Sequence, residues 1–450
     1  MSRTSVREKA VFACTECGAQ APKWLGRCPE CGAWSSLVEE RPAIAGGGPA
    51  GEGVVMALAD VDPIAAIGRS TGVPELDRVL GGGLVPGSVT LLGGEPGIGK
   101  STLLLQSLGR MAAAGARCLL VSAEESKEQV RLRADRLATL DPNLLIVTET
   151  SLPAVLQRIT ETAPDVVAVD SIQTVMDPEL SGAPGSVGQV RECSHRLVRM
   201  AKDRAIATVL VGHVTKEGLL AGPRAMEHIV DTVLAFEGDR HHSLRMLHAL
   251  KHRFGTTNEL GVFEMTEAGM SEVTDPSALF LADRRPGLPG SVVTATLEGV
   301  RPLLVEVQAL LSSTSAPAPR RSARGLDGSR LEMLLAVLHA RAGRPVTGYD
   351  VYASVAGGVK VQDAGADLAV TLAVASALIG EPVPDGLVAI GEVGLGGELR
   401  QPAQTVRRLG EAARLGFRTA VVPLSTPDVE GIRLMRADCI GDVLDTLGLA

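Results

Sequence analysis

"GGEPGIGKST", residues 93 to 102, decides how the rest of the chain is read. It carries G-x-x-x-x-G-K-S as Gly94, Gly99, Lys100 and Ser101, preceded by the strand-like "SVTLL" and opening the helix-like "STLLLQSLGRM". Strand, glycine-rich turn and helix in that order build a phosphate cradle. The glycines let successive N–H groups curl around an anion, and the helix N-terminus adds the positive end of its dipole. A glycine-rich turn met by chance would lack the flanking strand and helix. Nucleotide contacts are therefore expected along Gly94, Glu95, Pro96, Gly97, Ile98, Gly99, Lys100, Ser101 and Thr102. Lys100 should reach the β and γ phosphates of ATP, and Ser101 should hold Mg2+.

Working outward, residues 67 to 283 alternate apolar runs with amphipathic stretches, as in "ARCLLVSAEES", "KEQVRLRADRLATL", "NLLIVTET" and "DVVAVDS". Continuous apolar strands alternating with helices predict an α/β unit, a parallel sheet covered on both faces. "DVVAVDS" puts Asp170 at a strand end, expected beside the phosphate loop and able to hold the magnesium through water. "CLLVSAEES" ends another strand with Glu124 and Glu125. One of them is needed as general base for the attacking water; Glu124 is the first choice and Glu125 stands close behind. Acidic residues in a helix first turn capped by Ser122 are the plainer explanation. "TVLVGHVTKEG" sets His213 and Thr215 as γ-phosphate sensors and Lys216 at the start of a loop that could face DNA.

Upstream, "CTECGAQAPKWLGRCPECGAW" spaces Cys14, Cys17, Cys28 and Cys31 as two C-x2-C pairs. Two thiolates from each knuckle can converge on one tetrahedral Zn2+. Two disulfides would need an oxidising compartment, and the N-terminus has no apolar segment followed by a cleavage site. Trp24 and Trp34 are expected to pack on the knuckle, and Lys23 and Arg27 could touch phosphate. Cys118, Cys193 and Cys439 are scattered and read as small buried hydrophobes.

The 450 residues exceed one core, so two or three domains are expected. Aromatics are only 2%, so the cores must be aliphatic, and a net charge of −8 excludes an overall basic field for nucleic acid. No apolar run is long enough to span a membrane, and a cytoplasmic protein is expected. "RPAIAGGGPAGEGVV" reads as a tether, and "SSTSAPAPRRSARG" at 312 to 325 as a mobile loop. The expected organisation is a four-cysteine zinc finger over 1–40, a linker over 41–60, the ATPase unit over 61–285 and a further domain over 286–450.

The stretch "STGVPELDRVLGGGLVPGSVTLLGGEPGIGKST" resembles the opening of RecA-superfamily ATPase cores. Together with the zinc knuckle, "VSAEES", "GHVTKEG", and "KHRFG" followed by "GVFEM", it resembles the RadA (Sms) family of bacterial DNA repair proteins over essentially the whole chain. The family form of the last motif is Lys-Asn-Arg-Phe-Gly; here Lys251, His252, Arg253, Phe254 and Gly255 keep both cations and the turn. The resemblance implies a DNA-dependent ATPase of repair and recombination. It would be a hexameric ring that binds single-stranded and branched DNA, works with the recombinase RecA and migrates branches as a helicase-like motor. It also suggests that Lys251 and Arg253 act on a neighbouring subunit's ATP or on DNA phosphates.

From about 286, "DVYASVAGGVKVQDAGADLAVTLAVAS" and "VAIGEVGLGGELRQPAQTVRRLGEAARLGFRTAVVP" resemble an α+β Lon-protease domain. That chemistry needs a Ser nucleophile and a Lys base. The comparison puts Gly365 at the Ser position and Val406 at the Lys position, so an ATP-dependent protease is disfavoured. Lys360, Arg400, Arg407 and Arg408 are candidates for a DNA-facing rim. The remaining alternative is a signalling ATPase of the same fold without a DNA track.

Overall fold

Apolar runs bounded by amphipathic stretches become strands and helices in the order the pattern predicts. The computed structural model describes residues 11–14, 20–30, 32, 34, 37–40, 57, 59, 67–213, 225–238 and 244–449. Thr215 and Lys216 lie outside the described residues, as do Cys17 and Cys31. No described helix is long and apolar enough to cross a membrane.

Near the N-terminus, β1 (Val11–Cys14), β2 (Gln20–Ala21) and β3 (Leu37–Glu40) form an antiparallel sheet in the order β2-β1-β3. Its interior is Cys14, Ala21, Cys28 and Leu37, with Phe12 and Leu25 packed against them. So small a core needs a staple to hold its shape.

The first large unit runs from α1 (Pro74–Val79) through β4 (Val89–Gly94), α2 (Lys100–Ala113), β5 (Cys118–Ser122), α3 (Lys127–Arg136) and β6 (Leu144–Thr148). It continues with α4 (Leu152–Thr162), β7 (Val166–Asp170), α5 (Val187–Arg204), β8 (Ala207–His213) and α6 (Ala225–Ile229). It closes with β9 (Thr232–Glu237), β10 (Leu244–His252), β11 (Leu260–Thr266) and β12 (Gly269–Glu272). The nine strands lie in the order β12-β11-β10-β9-β4-β8-β7-β5-β6. From β9 to β6 all pairings are parallel; β10, β11 and β12 extend the sheet antiparallel. Every residue of β4 and β5 is buried, because helices cover both faces. One core lies under α2 and contains Leu103, Leu108 and Phe236; the other lies under α4 and α5 and contains Leu152, Ile159 and Leu197. Cys118 and Cys193 are buried, and burial pushes their thiols up to about 12 and about 11, so both are inert at neutral pH. Cys439 is only half-buried.

A second unit begins at Thr274, twelve residues before the expected start at 286. The cause is α7 (Pro276–Leu281), whose Ser277 hydroxyl donates to Glu411 at 2.8 Å and accepts the Leu304 N–H at 3.1 Å. The unit continues through β13 (Ser291–Glu298), β14 (Arg301–Ser313), β15 (Arg321–Arg324), α8 (Gly328–Ala342), β16 (Tyr349–Val355) and α9 (Asp367–Ile379). It ends with β17 (Leu387–Ala389), β18 (Glu392–Val393), β19 (Leu399–Arg400), α10 (Thr405–Arg414), β20 (Thr419–Pro423), β21 (Arg433–Ala437) and α11 (Ile440–Leu447). Seven strands form one mixed sheet, β15-β16-β14-β13-β17-β20-β21, and β18 pairs with β19. The stretch 312–325 is therefore not a loop throughout. Ser312 and Ser313 finish β14, and residues 321–324 add a parallel edge strand to β16, a place that suits arginine and serine.

Two expectations for this unit are corrected together. On α10 the buried residues include Thr405, Arg408, Leu409 and Ala412, while Val406 is 52% exposed. A Cβ on Gly365 would lie 2.8 Å from the Arg408 guanidinium, so the side chain opposite position 365 is Arg408 and not Val406. Arg408 is fully buried, pairs with Asp363, and donates to the Ala295 and Ala403 carbonyls at 2.6 and 2.9 Å. It cannot join a DNA-facing rim. With no hydroxyl at 365 and a permanently protonated guanidinium opposite, a Ser–Lys dyad has neither member there. Arg408→Ala strips a cation from Asp363 and two buried carbonyls of their donor, and should destabilise this unit by about 3 kcal/mol. Urea unfolding checks this; an unchanged midpoint would contradict the assigned role.

Candidate functional site

The phosphate loop joins β4 to α2, and its glycines answer to two constraints. Gly97 and Gly99 hold φ of +79° and +114°, the left-handed region open to glycine. A Cβ on Gly99 would also strike the Met270 and Met265 methyls at 2.0 and 2.7 Å, and one on Gly94 would lie 2.7 Å from the Phe236 carbonyl oxygen. Buried Ile98 anchors the loop from below. Lys100 bends over the loop, its Nζ donating to the Gly94 and Glu95 carbonyls at 2.7 and 3.0 Å. Burial pulls its ammonium below the usual lysine range, and the carboxylates of Asp170 and Glu124 oppose that pull. Glu95, Pro96, Ser101 and Thr102 complete the loop and first helical turn at partly or fully exposed positions.

Asp170 does not neighbour the loop in the sheet, because β8 lies between β4 and β7. Its carboxylate nevertheless accepts a hydrogen bond from Ser101 at the start of α2. Burial pushes Asp170 upward, that bond opposes the shift, and the nearby Glu124 and Glu125 charges add to it. A half-buried carboxylate beside a hydroxyl, repelled by two further carboxylates, is a donor set that suits a divalent cation completed by phosphate oxygens. Among the described residues no cluster of three or more His, Cys, Asp or Glu groups stands ready to hold a metal unaided.

The two glutamates are sorted by their neighbours. Glu125 is bound to Arg133 at 2.6 Å, and its backbone carbonyl accepts the Ser122 hydroxyl at 2.7 Å. Glu124 instead accepts a bond from the Ser171 hydroxyl, next to Asp170, and lies close enough to act on Lys100 and Asp170 electrostatically. Ser171 and Arg133 escaped the sequence reading, although Ser171 directly follows Asp170. Arg245 escaped it without any signal: it is buried on β10 with Nε donating to the Ile98 carbonyl at 3.2 Å. His213 pairs with Gly94 across the β4–β8 ladder, which sets its backbone beside the loop.

Lys251, His252 and Arg253 sit at the opposite end of the strands from the phosphate loop. Because β10 runs antiparallel to β9, His252 pairs with Thr232 at the start of β9, whereas Gly94 at the end of β4 pairs with Phe236. The intervening four steps of β4, from Thr90 to Gly94, rise roughly 13 Å at about 3.3 Å per residue. Both cations are tied down within the protomer. Lys251 donates to the Glu227 and Val230 carbonyls at 2.6 and 2.7 Å, and Arg253 pairs with buried Asp231 at 3.0 Å. Asp231 in turn accepts the Val89 N–H at 3.0 Å at the foot of β4. Arg253 keeps 49% of its side chain exposed. His252 bonds Thr232 through Nδ1 at 2.9 Å and stands edge-on to Phe254. A Cβ on Gly255 would meet the His252 ring at 2.8 Å, which accounts for the glycine.

In the N-terminal sheet, Cys14 and Cys28, one from each C-x2-C pair, are turned into the interior. The turn after Cys28 closes through Gly32 N–H to the Cys28 carbonyl at 3.0 Å, with Gly32 at φ +74°. Paired buried thiols on such turns fit a thiolate-bound Zn2+. Trp24 and Trp34 are 56% and 74% exposed, and neither belongs to the small interior of Cys14, Ala21, Cys28 and Leu37 among the described residues.

The comparisons agree with this geometry. Residues 60–219 match a family model described as an AAA domain, and residues 12–39 match one described as a rubredoxin metal binding domain. Among relatives, "DNA repair protein RadA" of Pseudomonas aeruginosa is 49% identical over 450 residues, spanning 98% of this chain and 99% of that protein. The proteins of the same name from Bacillus subtilis and Streptococcus pyogenes serotype M1 are each 46% identical, with the same shares of each chain covered. An AAA-type ATPase core, a zinc ribbon and near-full-length similarity at this level lead to one conclusion: the chain belongs to the RadA family of DNA repair proteins.

Proposed function

We propose that the chain is a DNA-dependent ATPase of repair and homologous recombination, a cytoplasmic ring, hexameric by family resemblance, whose active centres are completed across subunit boundaries. Single-stranded and branched DNA are its tracks, RecA its partner, and branch migration with helicase-like translocation its output. In this reading Gly94 to Thr102 cradle the nucleotide and Lys100 binds the β and γ phosphates. Ser101 and Asp170 would hold Mg2+, which supplies charge neutralisation there. Glu124 orients and deprotonates the attacking water, while Glu125, committed to Arg133, positions α3. Cys14, Cys17, Cys28 and Cys31 hold Zn2+.

One observation carries the reading. The exposed cation of the Lys251–Gly255 motif stands a whole strand length from the phosphate loop of the same chain. A guanidinium that far away cannot neutralise charge on its own γ-phosphate, since such contacts act at hydrogen-bond range. It can do so on a neighbour's, with Asp231 holding it aimed. The sensor assignments of His213 and Thr215 and the DNA-facing assignment of Lys216 belong to the same proposal.

The test is ATP turnover per protomer across a dilution series, with particle mass measured alongside and with single-stranded DNA present or absent. Turnover should collapse as the assembly dissociates and should rise several-fold on DNA. A monomer that hydrolyses at full rate, indifferent to DNA, would defeat the proposal. Glu124→Gln should lower kcat by about 100-fold or more while leaving nucleotide binding near wild type, whereas Glu125→Gln should lose less than about ten-fold. Equal losses in the two variants would reverse the assignment of the base.

A further inference from the structure

The two tryptophans of the chain, Trp24 and Trp34, both lie on the zinc ribbon and are both more than half exposed. Large aromatics left in water on so small a module are costly, and a pair of them marks a contact surface. They border one point. A Cβ built on Gly26 would lie 3.8 Å from the outer ring of Trp24 and 3.9 Å from that of Trp34. The absent side chain of Gly26 thus leaves a floor between two rings, each within van der Waals reach of the same position. Arg27 lies over Trp34, its guanidinium carbon 5.8 Å from the ring centroid, and donates Nε to the Gly32 carbonyl at 2.8 Å, which fixes the cation beside the cleft. Lys23 is exposed next to Trp24.

We propose that Trp24, Gly26 and Trp34 form a stacking platform for an unpaired base of single-stranded DNA, with Lys23 and Arg27 at the flanking phosphates. The proposal rests on the DNA-binding reading above. Stacking on aromatics beside cations is how sequence-tolerant single-strand binders work, since every base offers a π-face. It also places the charge locally, as a chain of net charge −8 requires. An apolar peptide fits less well, because the described residues flanking the tryptophans include exposed Lys23, Arg27 and Glu30.

The chain supplies its own reporter, since tryptophan emission comes from the ribbon alone. Zinc-loaded full-length protein is titrated with short oligo-dT while tryptophan emission is followed, and binding is measured separately by anisotropy of fluorescein-labelled oligo-dT. Saturable quenching that tracks the anisotropy is expected. Trp24→Ala, Trp34→Ala and Gly26→Val, the last filling the floor while keeping both rings, should each weaken binding by about ten-fold with zinc content unchanged. Binding by anisotropy without quenching, or Gly26→Val binding as wild type, would overturn the platform while leaving DNA binding intact. No anisotropy change at all would overturn the DNA-binding reading and the platform with it.

Discussion

A buried strand holds two charges apart, and the account turns on that separation. At the upper end of β4 the chain curls into a phosphate loop under Lys100; at its foot, Asp231 receives the Val89 N–H and pins Arg253. Every residue of β4 is buried, and β8 and β9 pair with it on either side, so neither end can swing toward the other. In the proposed reading, the cation therefore meets the phosphate site of a neighbouring copy. Ion pairing with Asp231 sets a direction for Arg253 without hiding it, since half of its side chain stays in water. Held in place beforehand, a cation needs little reorganisation when negative charge develops before it.

The acidic groups around the loop are likewise separated by their partners. Ser101, Glu124, Asp170 and Ser171 converge on one side of the loop, and Glu125, paired with Arg133, stays close enough to add its charge to Asp170. A base must reach water held at the phosphates, and the proposal gives that role to Glu124 because its charge acts on both Lys100 and Asp170. The second unit shows the reverse pattern. There Arg408 fills the space beside Gly365, and its donors go to Asp363 and two carbonyls. Arg408 serves there as an internal strut.

Much of this was legible in the residues, and the limits have physical causes. The phosphate loop could be read because only glycine tolerates its backbone, and the parallel sheet because fully buried strands are continuous apolar runs. Strand order could not: nothing in "DVVAVDS" reveals that β8 separates β7 from β4. Nor does composition tell that Arg321 to Arg324 joins a sheet edge, since an edge strand tolerates the same polar residues as a loop. The exchange of Val406 for Arg408 is a matter of helix rotation, two residues being about 200° of turn. Packing of the tryptophans on the knuckle is an expectation the sequence leaves open to exposure, and both rings are more than half exposed.

The central claim, that each ATP site borrows a cation from the next subunit, is tested most directly by mixing. Arg253→Ala protein, checked for unchanged melting and ATP binding, is combined in increasing proportion with wild type at constant total concentration, and turnover is recorded. If the cation acts across the boundary, wild-type subunits beside a variant lose activity as well, and turnover falls well below the straight line that joins the two pure samples. A strictly proportional decline would mean that each subunit hydrolyses ATP with its own residues alone, and the account would be wrong.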